Sequence, residues 1–213
     1  LFTLVNVLFI ERSWRAIGMQ TLREWIFAAS VPVVLFSAWL IIFSVINLPL
    51  LRKPLVMLLI IGCAGANYFM YSYGVVIDTN MMVNVFETNQ QEAMALVTPK
   101  LVIWLILGGV VPALLVGTMT ITPAKWGYSL LVRGLSILGA IALILLIASV
   151  FYKDYASLFR NTNGIAKLVT PPNYISAIGN YSKDKWFSAN KTLTRLGEDA
   201  KKGPLLTQST KKT

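Results

Sequence analysis

The 213-residue chain is 56% hydrophobic and only 13% charged, against about 25% charged residues in an ordinary soluble domain. It has a net charge of +10, no histidine and one cysteine. This composition argues against a soluble globular domain. It also excludes the usual zinc and non-haem iron ligand sets and the Ser-His-Asp and Cys-His catalytic constellations.

In chain order, residues 1–10 are apolar but too short to span a bilayer, and they lack the basic start and cleavage site of a signal peptide. They read as the outer half of a first membrane helix whose beginning is missing. A mixed segment, 11–24, comes next, with Arg12, Arg15 and Arg23 against Glu11 and Glu24. Four stretches then hold no Asp, Glu, Lys or Arg: 25–51, 54–77, 101–124 and 134–152. A helix needs roughly 20 apolar residues to cross about 30 Å of hydrocarbon. Backbone groups must pair internally in lipid, so each stretch is predicted to be a membrane helix. Pro32 and Pro112 fall inside spans, and Pro49 and Pro54 beside them; Gly108-Gly109 suggests close helix packing. Cys63 reads as a small packing residue. Trp25, Trp104, Trp126, Phe151 and Tyr152 lie near run ends, where aromatic rings favour the headgroup zone, whereas Trp39 is placed between helices.

Basic residues in short loops set the orientation. Arg52 and Lys53 follow the second span, and Lys125 and Arg133 follow the fourth, with no acid in either connection. Both connections are placed in the cytoplasm. The connection 74–100 carries Asp78, Glu87 and Glu92 against Lys100 and is placed outside. The fold expected is an all-α membrane protein with five transmembrane helices, the first truncated. A membrane domain of 1–152 includes an amphipathic periplasmic helix over 78–97, between the third and fourth spans. Residues 153–213 form a periplasmic bridging segment and linker; they carry 11 Lys or Arg against 4 Asp or Glu. An exported basic tail does not meet nucleic acid, and anionic lipid headgroups are its better partners. The charge-free spans argue against a transporter or channel subunit.

The connection between the third and fourth spans holds the chemistry. Asp78-Thr79 is a helix start and Pro99 a stop before the next span. On a continuous helix, Asn84, Thr88 and Glu92 are four apart and form one stripe, with Gln91 beside it; Met82, Val85, Phe86, Ala93 and Leu96 take another face. Glu92 suits a primary ammonium, and Asn84 and Thr88 suit phosphate or ester oxygens. A zwitterionic lipid headgroup offers both, although a plain interfacial helix has the same pattern. After the last span, Tyr152, Tyr155 and Phe159 share a helical side as an interfacial anchor, with Lys153 and Arg160 facing headgroup phosphates. The Thr170-Pro171-Pro172-Asn173-Tyr174 turn ends any helix there.

At these residues the sequence resembles the membrane domain of the lipid A phosphoethanolamine transferases, the family that includes the mobile colistin-resistance enzymes. The resemblance rests on Tyr73-Gly-Val-Val-Ile-Asp78-Thr-Asn-Met-Met, on Asn84, Thr88 and Glu92, and on the span from Leu101. Phe151-Tyr-Lys-Asp-Tyr-Ala-Ser-Leu-Phe-Arg-Asn161 and Arg195-Leu-Gly-Glu-Asp-Ala200 extend it.

That resemblance implies five membrane helices in the inner membrane and a periplasmic catalytic domain of alkaline-phosphatase type, with zinc and a threonine nucleophile. Phosphoethanolamine passes from phosphatidylethanolamine through a covalent intermediate to the phosphates of lipid A in lipopolysaccharide, which weakens polymyxin binding. It further implies that Asn84, Thr88 and Glu92 belong to the lipid-substrate site. The nucleophile and zinc ligands are expected beyond Thr213, so these residues alone are expected to hold lipid without turnover, with no catalytic or metal residue among them. A passive anchor for a related transferase acting on lipopolysaccharide core or periplasmic glucan is the alternative.

Overall fold

The computed structural model describes residues 2–46, 52–120, 126–162 and 164–189. Pro49, Lys125 and the Arg195–Ala200 block lie outside them, as does the Trp126 side chain. All regular elements among the described residues are helical. In order they are α1 (Phe2–Val5), α2 (Val7–Ile17), α3 (Leu22–Val45), α4 (Arg52–Tyr73), α5 (Thr79–Glu87), α6 (Gln90–Ala95), α7 (Pro99–Leu105), α8 (Val111–Thr118), α9 (Trp126–Asn161) and α10 (Pro172–Ala189). A π-helical turn, Ile106–Val110, joins α7 to α8, and a 3₁₀ turn, Ile165–Leu168, precedes α10. Four helical stretches are long and apolar enough to cross a membrane: Leu22–Val45, Arg52–Tyr73, Pro99–Thr118 and Gly127–Asn161. Each overlaps one of the four charge-free runs, where a helix in lipid satisfies its own backbone. Residues 1–181 and 182–213 form two separate units, and all four spans belong to the first.

The mixed segment 11–24 differs from expectation. Helix α2 continues through Glu11, Arg12 and Arg15 to Ile17, and α3 starts at Leu22 behind a capping box in which Thr21 and Glu24 satisfy each other's backbone N–H groups. Two of the cations that blurred the charge rule have carboxylate partners: Arg15 bonds Glu11, and Arg23 meets Asp154 at 2.8 Å. Arg52, Lys53 and Arg133, read from the sequence as lying in connections, stand early in the helices α4 and α9.

Helix α3 passes through Pro32 unbroken. Proline provides no N–H for the carbonyl four residues back, which is Ala28. The Trp14 indole donates to that oxygen at 2.8 Å instead, so α2 repairs a defect in α3. On the other side of α3, Phe27 packs against Phe151 and Tyr155 (5.5 and 4.8 Å between centroids), and the Ser30 and Tyr155 hydroxyls bond at 2.8 Å. Phe151 itself leaves helical geometry (φ −116°, ψ 19°) and kinks α9, so 152–161 departs from the line of the span. Tyr155 is thus tied to a neighbouring helix, while Tyr152 and Phe159 on the same stretch stay exposed.

Close approach organises the α4–α8 side. A Cβ on Gly109 would lie 3.1 Å from Ala64 Cβ and 3.5 Å from Ile61 Cα, so a side chain here would press on Ala64 and glycine eases the close approach. The π turn containing Gly109 ends just before Pro112, which has no N–H to give the preceding turn. The Trp104 indole reaches across to the Ala64 carbonyl at 3.2 Å. Trp39 is 6% exposed, packed among Phe2 and Phe43 as its mid-span position suggested.

Candidate functional site

The connection from α4 to α7 is not one amphipathic helix over 78–97. It is two short helices, and the break falls on the expected stripe. Asp78 caps α5 by accepting from Met81 N–H at 3.2 Å, as its position predicts. Thr88 then turns extended (φ −62°, ψ 137°), and Asn89 (φ −71°, ψ 160°) caps α6 by accepting from Glu92 N–H at 2.9 Å. An asparagine side chain competing for backbone N–H groups starts a new helix here, which periodicity alone does not register. Thr98 caps α7, and Pro99 takes its first position.

The break changes how the three residues relate. Thr88 Oγ1 donates to the Asn84 carbonyl, joining those two. Glu92 lies in the first turn of the next helix, where the N-terminal dipole favours a carboxylate. Asn84 and Glu92 are exposed and Thr88 is half-buried. Among the described residues, neither the Asn84 amide nor the Glu92 carboxylate bonds another side chain, so both remain open to a ligand. Of the expected apolar face only Met82 is buried; Phe86 stacks on Tyr181 at 4.9 Å, while Val85, Ala93 and Leu96 stay exposed.

Sequence reasoning missed the partner of this connection. The segment after α9 folds back onto the helices rather than simply leading away. Asn6, 1% exposed, sits between α1 and α2 and clasps the Thr170 peptide: its Nδ2 donates to Thr170 O at 2.8 Å, and Thr170 N–H donates to its Oδ1 at 2.7 Å. The same Nδ2 reaches Phe2 O at 2.7 Å, so this amide is saturated. Asn67 in α4 bonds Cys63 O at 2.8 Å and lies 3.5 Å from Thr170 Oγ1. Tyr174 pushes its ring against α4, where its hydroxyl donates to Leu59 O at 3.2 Å. A Cβ on Gly62 would lie 2.9 Å from that hydroxyl. Cys63, fully buried, packs beside it. Burial first, and then the adjacent thiol, hold the Tyr174 phenol above its ordinary pKa, so it stays a neutral donor. The available signal was Asn6 itself, a polar amide inside an apolar stretch.

Between α5 and this returning segment lies a cavity of about 420 Å³, where Asp78, Lys167, Asn173, Ser176 and Asn180 stand among apolar residues such as Ile77 and Pro172. Lys167 Nζ stands 3.6 Å from Asp78 Oδ2. One anionic and one cationic side chain therefore face the cavity beside α5. No cluster of three His, Cys, Asp or Glu side chains occurs among the described residues, and their donor set does not fit a zinc ion.

An all-helical membrane unit with a capped, polar connection between its spans defines the class. The family model for phosphoethanolamine transferase EptA/EptB matches residues 35–186, and the chain belongs to that family. EptA from Escherichia coli K12 is 38% identical across 98% of this chain, which corresponds to 38% of that protein. Phosphatidylethanolamine transferase Mcr-1 from Escherichia coli is 33% identical over 77% of this chain and 30% of its own length. Among solved structures, the integral membrane lipooligosaccharide phosphoethanolamine transferase A (EptA) from Neisseria meningitidis superposes with a TM-score of 0.81 at 30% identity, covering 89% of this chain and 35% of that one. The chain therefore spans 30–38% of the length of these relatives.

Proposed function

We propose that these residues are the membrane domain of a transferase that moves phosphoethanolamine from phosphatidylethanolamine to lipid A phosphates, and that they present the donor headgroup. The match to EptA along 98% of the chain carries the reading. In it, α1 and α2 belong to the first of five membrane helices in the inner membrane, and the α4–α7 connection and the tail face the periplasm. The nucleophile and the zinc ligands belong to a catalytic domain outside these residues, which alone do not turn over.

The donor's two charges need two kinds of partner. The Glu92 carboxylate accepts from the primary ammonium and Asn84 Nδ2 donates to phosphate or ester oxygens; the Thr88 hydroxyl joins it by turning its single proton from the Asn84 carbonyl to the lipid. Hydrogen bonds to charged groups are worth about 1.5–3 kcal/mol each, enough to orient a headgroup for attack at phosphorus. The open carboxylate of Glu92 supports this role. The test is Glu92→Gln in the full-length protein, with lipid A read by mass spectrometry. Modification should fall about tenfold or more, by the loss of one charged hydrogen bond, with membrane insertion unchanged. Normal modification by this variant removes Glu92 from the mechanism.

A further inference from the structure

Helices α4 and α7, which the connection bearing Asn84, Thr88 and Glu92 joins, also form walls of a groove in the membrane unit. A cavity of about 430 Å³ lies between them and the α1–α2 stretch, lined by Leu4, Leu8, Glu11, Asn67, Tyr71 and Gly108 among others. Leu4 and Leu8, with Ala64 and Gly108, make one part of its lining apolar; Glu11, Asn67 and Tyr71 make another polar. Val7 and Tyr71 are 59% and 64% exposed, and Gly108 is exposed too. The groove therefore opens sideways, to lipid when the spans lie in a bilayer.

Its depth is that of one leaflet. Ala64 lies nine residues before the end of α4 at Tyr73, and Gly108 nine residues after the start of α7 at Pro99. At 1.5 Å per residue both are roughly 14 Å in from the connection, about half of a 30 Å hydrocarbon core. A missing side chain keeps the groove open there: a Cβ on Gly108 would meet nothing nearer than 3.9 Å, against 3.1 Å at Gly109. Part of the polar lining is already engaged. Trp104 Nε1 donates to Ala64 O, and Asn67 Nδ2 to Cys63 O, which leaves mainly rings and alkyl groups for an occupant. The remainder of the first membrane helix belongs elsewhere. Phe2 packs on Trp39 and Phe43, toward the Val45 end of α3, and Ile17 precedes the Leu22 end. Chain ahead of Leu1 therefore continues away from Glu11 and Tyr71.

We propose that this groove seats one acyl chain of the phosphatidylethanolamine donor, with the headgroup held by the connection at its mouth. This seat rests on the donor-headgroup reading and extends it from the head of the lipid to its tail. The groove walls end at Tyr73 and Pro99, and α5 and α6 are strung between those residues; a chain in the groove leaves its glycerol beneath them. Tyr71 and Trp104 stack at 6.1 Å beside the mouth, the level at which aromatic rings meet lipid headgroups. Bilayer lipid is as apolar as the groove, so burial adds little affinity. What the groove supplies is position. A fixed tail limits where the phosphorus can lie, and displacing a reacting atom by about 1 Å can cost roughly a hundredfold in rate.

The test is photolabelling of the full-length protein in detergent, with phosphatidylethanolamine carrying a diazirine midway along one acyl chain. Peptides containing Leu4–Leu8 and Gly108 should be labelled more strongly than the exposed stretch Leu138–Leu146 of α9, and excess unlabelled phosphatidylethanolamine should compete. Val7→Trp and Gly108→Leu fill the groove from opposite walls. Each should lower groove labelling and lipid A modification by about threefold or more, with α9 labelling unchanged. Equal labelling of groove and α9 in the wild type overturns the seat, and that measurement involves no substitution that could disturb folding. Wild-type modification by either filled variant overturns it too. Glu92→Gln separates the seat from the headgroup site. Normal modification by that variant removes the headgroup reading, and the seat that rests on it, whatever the groove labels. Lost modification in Glu92→Gln, together with an unlabelled groove in the wild type, removes the seat alone.

Discussion

Two segments meet beside α5, and they are built in opposite ways. The α5–α6 connection is held by local caps, Asp78 and Asn89, and leaves Asn84 and Glu92 uncovered. The returning segment, 165–181, buries Ile165, Leu168, Thr170, Asn173, Tyr174 and Ala177 and ties them to helices distant in sequence. One segment keeps its polar groups for something else; the other spends them on the protein. The difference separates function from framework: removing a group from the first should cost activity, and removing one from the second should cost stability.

Substitutions can break this division. The largest expected effect is the roughly tenfold loss of lipid A modification in Glu92→Gln. That variant should leave the thermal midpoint in detergent within about a degree, because surface changes seldom matter. Asn6→Leu is the converse. It removes the clasp on Thr170 and should destabilise by about 2–3 kcal/mol, since buried backbone groups lose their partners; scanning calorimetry or tryptophan-monitored melting reads the loss. Gly62→Ala should cost about 1–3 kcal/mol by overpacking against Tyr174. Combining it with Tyr174→Phe, which removes the hydroxyl 2.9 Å from the new Cβ, should recover part of that cost, and a double-mutant cycle gives the coupling. Trp14→Phe should cost about 1 kcal/mol by leaving the Ala28 carbonyl unpaired; Pro32→Ala restores an N–H for that carbonyl and should shrink the penalty. Smallest is Arg23→Gln, which breaks an exposed pair with Asp154 and should change stability by no more than about 1 kcal/mol.

What the sequence made legible obeys the same division. Runs without charge identified the spans because exclusion of charge from lipid is a local property of each stretch. Asp78 as a helix start, Trp39 between helices and Gly108-Gly109 at a close contact were also readable from neighbouring residues alone. The break at Thr88-Asn89 was local too, but helical periodicity concealed it: Asn84, Thr88 and Glu92 keep four-residue spacing whether or not the helix is continuous. Asn6 and Thr170 lie 164 residues apart. No pattern within either segment announces that an amide in the first helix will hold a peptide in the tail. Pairing over that distance is fixed by packing, and only the polarity of Asn6 in an apolar setting hinted at it.

Headgroup binding requires Asn84, Thr88 and Glu92 to face the outer side of the membrane, where a phospholipid headgroup can reach them. The most direct measurement is labelling of Asn84→Cys by a membrane-impermeant maleimide in right-side-out spheroplasts, in full-length protein freed of other reactive cysteines. Cys63 is fully buried and adds no background. Labelling of intact spheroplasts, with no further gain on lysis, is the predicted result. Labelling that appears only after lysis would put these residues in the cytoplasm and contradict the account.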